Sequence, residues 1–115
     1  MGVNNELLKT IPESQVIDEV KQIIRQAGIK LQRINTGCFK TGDRFIKTAE
    51  AGTLDFEGYD KHGRFCAIEC KRPVGGRLSP EQEARIKDIN IKGGVAFVAH
   101  SGAEALEGLF MHDCI

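Results

Sequence analysis

Asp55, Glu69 and Lys71 are the residues of this chain whose types and spacing could do chemistry. The segment Arg64–Lys71, RFCAIECK, reads as a strand. Glu69 and Lys71, two apart, share one of its faces, and Cys66, Ile68 and Cys70 take the other. Leu54–Tyr59 reads as a second strand, joined to the first by Asp60-Lys61-His62-Gly63. Glycine there suits a hairpin built on a type I turn with a left-handed residue at its end. With Lys61-His62-Gly63 as the loop, Asp60 pairs with Arg64, and Asp55 stands across from Glu69 with Cβ atoms ~5 Å apart. Two carboxylates facing each other at that range repel. Their juxtaposition makes sense around a cation, and such oxygen ligands suit Mg²⁺. Lys71 beside them could steer an attacking water or neutralise developing negative charge. A solvated hairpin with alternating charges carries the same Glu-x-Lys triplet; the aspartate at the paired position is what sets this one apart.

The elements that must hold these residues follow from periodicity and punctuation. Pro12–Ala27 repeats Val16, Ile17, Val20, Ile23, Ile24 and Ala27 at helical spacing. Thr10 with Glu13 matches a capping box, and Gly28 sits where a C-terminal cap belongs. Ile29–Asn35 reads as a short strand, TGCFKTGDR as a polar stretch, and Phe45–Lys47 as a further short strand. Ser79 caps a second helix, with Pro80 at its first position, running to about Asn90. The apolar Val95–His100 is a strand buried on both faces, and Ser101 caps a last helix through about Gly108. The order predicts an α/β fold, a mixed central β-sheet with helices on both faces, in a single domain spanning residues 1–115.

Composition narrows the partners little. Sixteen basic residues balance sixteen acidic ones. Locally, residues 30–77 carry ten basic and six acidic groups, the asymmetry a polyanion site would produce. No apolar run approaches the ~20 residues of a membrane span, so no membrane partner is expected. The start MGVNNELLKT lacks the basic and apolar stretches of a signal peptide, and Glu6 stands where a myristoylation signal needs Ser or Thr. A cytoplasmic location is expected. Cys38, Cys66, Cys70 and Cys114 form no Cys-x-x-Cys pair, which points to buried thiols rather than a zinc site or disulfides. His62, His100 and His112 have no metal-site spacing and read as surface or turn residues.

At Asp55, Glu69 and Lys71 the sequence resembles a known family. GTLDFEGYDKHGRFCAIECKRPVGGRLSPEQ is similar to the signature of the VRR-NUC nucleases, a branch of the PD-(D/E)XK restriction-endonuclease-like superfamily. The matching elements are Asp55 after Gly52, the triplet Glu69-Cys70-Lys71, the glycine-containing turn after it, and Leu78-Ser79 leading to Gln82. Arg33-Ile34-Asn35-Thr36-Gly37 and Gly94-Val95-Ala96-Phe97-Val98 also fit, so the resemblance spans roughly residues 14–105. Two positions depart from the pattern: Leu54 replaces the proline that names the superfamily, and Cys70 stands where a β-branched residue is commoner.

The resemblance implies a restriction-endonuclease-like core and a Mg²⁺-dependent deoxyribonuclease, with Mn²⁺ able to substitute. Asp55 and Glu69 would bind the metal with help from the Cys70 backbone carbonyl, and Lys71 would be the catalytic lysine. Gln82 would orient substrate or water. The superfamily's additional helix-borne acid would be Glu19, or else Asp18. Arg33, Lys40, Arg44, Arg72 and Arg77 would grip DNA phosphates. Standalone members look like Holliday-junction resolvases working as homodimers on branched DNA, of bacterial or phage origin. The rival readings are a flap or nicking nuclease with the same site, and a non-catalytic DNA-binding module of the same fold.

Overall fold

A computed structural model of the chain describes residues 5–34, 38–42, 44–47 and 50–115, without the side chains of 5, 38–41 and 44–47. The elements run α1 (Asn5–Leu8), α2 (Glu13–Ala27), β1 (Lys30–Arg33), β2 (Cys38–Thr41), β3 (Arg44–Lys47), β4 (Phe56–Tyr59), β5 (Phe65–Cys70), α3 (Pro80–Ile91), β6 (Val95–Ala99) and α4 (Gly102–Met111). Four strands form one mixed sheet in the order β1-β4-β5-β6, antiparallel except for the parallel β5–β6 pair. The expected α/β architecture with flanking helices is therefore present. None of the described helices is long and apolar enough to cross a membrane.

The hairpin register is the one the sequence implies. Phe56 pairs with Ile68 and Tyr59 with Phe65. The Asp60 amide donates to the Arg64 carbonyl at 3.0 Å, and Gly63 turns the corner at φ 77°. The loop has its own anchor. The Asp60 carboxylate accepts from the amides of His62 (2.9 Å) and Arg64 (3.0 Å) and from Arg64 Nε (2.8 Å). Burial raises the Asp60 pKa, but these bonds and the Arg64 charge outweigh it and hold the carboxyl below its ordinary value.

Strand β5 is buried on both faces, more deeply than the half-buried strand its alternation suggests. Cys66, Ile68 and Cys70 pack with Val16, Val20 and Ile24 of α2 and with Ala105 and Leu109 of α4. Ala67, on the other face, packs with Leu54, Ala96 and Ile89 of α3. Burial drives the thiols of Cys66 and Cys70 far above their ordinary pKa, so they stay neutral core groups. Cys66, Cys70 and Cys114 are free thiols; Cys38 lies outside the described side chains.

Two expectations change. Thr10 is not an N-cap: its hydroxyl donates to the Leu7 carbonyl at 2.6 Å, closing the turn after α1, and the N-cap of α2 is Pro12, without a side-chain cap. Pro12 itself is extended, at φ −79° and ψ 159°, and the helix begins at Glu13. Within TGCFKTGDR, residues Cys38–Thr41 form β2, paired antiparallel with β3 in a separate two-stranded sheet. The capping box at Ser79 and Gln82 forms in full, and Ser101 caps α4.

Strand β6 lies at one edge of the sheet. There the Asn90 side chain, from the end of α3, makes both bonds a neighbouring strand residue would make. It donates to the Ala96 carbonyl at 3.0 Å and accepts from the Ala96 amide at 2.9 Å.

Candidate metal-binding site

Asp55 ends the loop that leads into β4, and Glu69 is the fifth residue of β5. Continuing the observed register places them opposite each other, and both are buried, Asp55 at 6% and Glu69 at 2% exposure. They are in direct contact: the Asp55 amide donates to Glu69 Oε1 at 3.1 Å. Asp55 Oδ2 accepts from the Cys70 amide at 2.8 Å, which fixes the carboxylate against the end of β5.

Glycine shapes the loop that delivers Asp55. Gly52 has φ +89°, and a Cβ there would lie 2.7 Å from the Glu81 carbonyl oxygen. Only glycine satisfies both conditions, so the loop can close onto the first turn of α3. That same turn presents Gln82. Its Oε1 accepts from the Ser79 amide at 3.0 Å as part of the capping box, and its Nε2 donates to Glu69 Oε2 at 2.7 Å. Helix capping thus sets the rotamer of a site residue.

Lys71 completes the Glu69 side. Its ammonium lies 3.0 Å from Glu69 Oε2 and 4.0 Å from Glu13 Oε1, with the side chain 14% exposed. The following loop folds back so tightly that a Cβ on Gly76 would sit 3.0 Å from Lys71 Cβ. On the Asp55 side, Arg33 at the end of β1 brings Nη1 within 3.4 Å of Asp55 Oδ1. The same nitrogen donates to the carbonyls of Ile34 and Asp55, and the guanidinium sits over the Phe56 ring at 5.9 Å. The facing acids are therefore flanked by one cation each. Burial first, and then the Asp55 charge, push the Glu69 carboxyl from 4.5 up to about 7, with Lys71 opposing.

Asp55, Glu69, Lys71, Gln82 and Arg33 come together, as does the backbone of Cys70. Glu19 goes elsewhere. Its Oε1 accepts from the Gly102 amide at 2.9 Å, satisfying an orphan donor at the start of α4, and its Oε2 accepts from Gln15 Nε2 at 3.1 Å. Asp18 is exposed and shares the α2–α4 groove with Glu19 and Ala103. The acid of α2 that approaches the site is Glu13, on its first turn, which the sequence reading used only as a capping residue. Its position before the apolar repeat was the available signal. Arg72 and Arg77 are exposed on the loop after Lys71, and Arg72 Nη2 donates to the Gly75 carbonyl at 3.4 Å. The side chains of Lys40 and Arg44 lie outside the described residues.

Among the described residues, no three His, Cys, Asp or Glu side chains converge as a ready-made metal cage. Two buried carboxylates offering hard oxygen donors still fit Mg²⁺, which commonly takes one or two carboxylates and leaves its other positions to water and substrate phosphate. Comparison of the chain with protein-family models, with curated proteins and with solved structures finds no significant match.

Proposed function

We propose that the chain is a metal-dependent nuclease of the VRR-NUC type, hydrolysing phosphodiester bonds in DNA. The observation that carries this reading is the burial of two facing acids, Asp55 and Glu69, the Asp55 amide donating to Glu69 Oε1 and Lys71 and Gln82 both bonded to Glu69. A buried like-charge pair is costly as a structural device and useful as a cation site. Asp55 and Glu69, with the Cys70 carbonyl, would hold Mg²⁺, or Mn²⁺ in its place. That ion supplies Lewis-acid polarisation of the phosphate and an acidified water.

The protein's own groups do the rest. In the free state the Lys71 ammonium is held on Glu69 Oε2 and tethered toward Glu13. From there it can donate to the negative charge that grows on a phosphoryl oxygen as water bonds to phosphorus and a P–O ester bond breaks. Gln82, clamped by its capping role, orients the acceptor geometry around Glu69. Glu13 takes the place of the helix-borne acid assigned by resemblance to Glu19 or Asp18. Arg72 and Arg77, exposed beside Lys71, supply sequence-independent phosphate contacts.

A resolvase-like homodimer acting on branched DNA, selected by its shape, is the form proposed. The test is Mg²⁺-dependent cleavage of a four-way junction against a linear duplex, with gel filtration of the same preparation. Junction cleavage by a dimer, abolished in Glu69→Gln, is the expected result. Cleavage by a monomer of flaps or nicks indicates the related nicking enzyme. Metal-independent binding without cleavage overturns the enzymatic reading.

A further inference from the structure

Arg33 makes an unusual set of contacts. All of those it makes with described polar atoms use one nitrogen, Nη1, which serves the carbonyls of Ile34 and Asp55 and the carboxylate oxygen Asp55 Oδ1. The other Asp55 oxygen is taken by the Cys70 amide. Among the described residues Oδ1 is thus the Asp55 oxygen left for a cation, and a guanidinium stands 3.4 Å from it. The Arg33 side chain is 34% exposed, and its guanidinium sits over the Phe56 ring at 5.9 Å. The remaining edge of the fork, Nε and Nη2, has the geometry for paired N–H bonds to a phosphate.

Resting on the metal-site reading above, we infer that Arg33 is a phosphate-sensitive guard on Asp55. In the free protein it neutralises Oδ1 and competes with a divalent cation there. A DNA phosphodiester binding the Nε and Nη2 edge of the guanidinium draws its charge outward and leaves Oδ1 to the cation. Metal occupancy therefore rises when substrate is present, and by linkage substrate binds more tightly when metal is present.

The experiment follows Mn²⁺ binding by loss of the free-ion electron paramagnetic resonance signal, with and without a short DNA duplex. It uses wild type, Arg33→Met, which keeps an unbranched side chain without the charge, and Glu69→Gln. Without DNA, Arg33→Met should bind Mn²⁺ about tenfold more tightly than wild type, within the usual span of coupling between two sites. DNA should tighten Mn²⁺ binding by about tenfold more in wild type than in the variant, because the guard is already gone in the latter. Should Arg33→Met fail to fold, Arg33→Gln keeps a donor for the Ile34 carbonyl and carries the same expectation. Equal Mn²⁺ affinity in wild type and the Arg33 variant, with binding still lost in Glu69→Gln, overturns the guard and leaves the metal site standing. Absence of Mn²⁺ binding in wild type, or its survival in Glu69→Gln, overturns the site itself.

Discussion

Replacing Glu69 by glutamine should flatten the pH dependence of stability in the metal-free protein. The Glu69 carboxyl titrates near 4.5 in an unfolded chain and at about 7 in the folded one, because of burial and the Asp55 charge. A carboxyl with a raised folded pKa binds its proton more tightly in the native state. Its stabilising contribution is thus fully present below about pH 4.5 and is lost as pH rises toward 7. At about 1.4 kcal/mol per pH unit, the loss is about 3 kcal/mol. Titrating groups remote from Glu69, Asp60 among them, are common to both proteins and cancel in the difference. The assay is urea unfolding in EDTA at intervals from pH 4.5 to 8, plotted as wild type minus Glu69→Gln. The difference should fall by about 3 kcal/mol across that window, and saturating Mg²⁺ should largely remove the fall, since a bound cation displaces the proton. A difference flat within about 1 kcal/mol, the uncertainty of extrapolated unfolding energies, would refute the argument that the pair is desolvated and mutually repelling.

Gly52→Ala combines a left-handed backbone with a Cβ 2.7 Å from the Glu81 carbonyl, so it should cost about 1–3 kcal/mol in a thermal or urea melt and weaken metal binding by shifting Asp55. Lys71→Met should lower single-turnover cleavage by about 10²-fold or more while leaving DNA affinity, read by fluorescence anisotropy, within a few fold. Asp60→Asn removes the acceptor of Arg64 Nε in the hairpin loop and should destabilise by about 1–3 kcal/mol in chemical unfolding, with cleavage per folded molecule unchanged.

Much of this was legible from short-range chemistry. A three-residue loop ending in a left-handed glycine leaves one pairing for the strands around it, so Asp55 opposite Glu69 followed from Gly63. The Ser-Pro-x-Gln start of α3 carried its own cap, and with it the placement of Gln82. What stayed hidden depends on contacts distant in sequence. Glu13 and Glu19 both lie on polar positions of α2, and nothing local tells which meets Lys71 and which meets the start of α4, 83 residues away at Gly102. The Arg33–Asp55 pairing requires knowing that β1 lies beside β4. Thr10 failed as a cap because two helix boundaries sit side by side and its hydroxyl serves the earlier one. β2 was missed because its residues carry little β-branching, and only β3 supplies the complementary edge.

The Asn90 amide at the margin of β6 has a consequence for how copies of this chain can meet. Val95–Ala99 is wholly apolar, with no lysine, proline or inward charge to discourage another strand from adding to it. By holding both main-chain groups of Ala96, Asn90 acts as a single-residue surrogate strand, so an incoming chain must first strip away two formed bonds. Continuation of the sheet from one molecule into the next is thereby penalised at Ala96, the second residue of this apolar edge. Growth along the hydrogen-bonding direction is opposed there by one side chain.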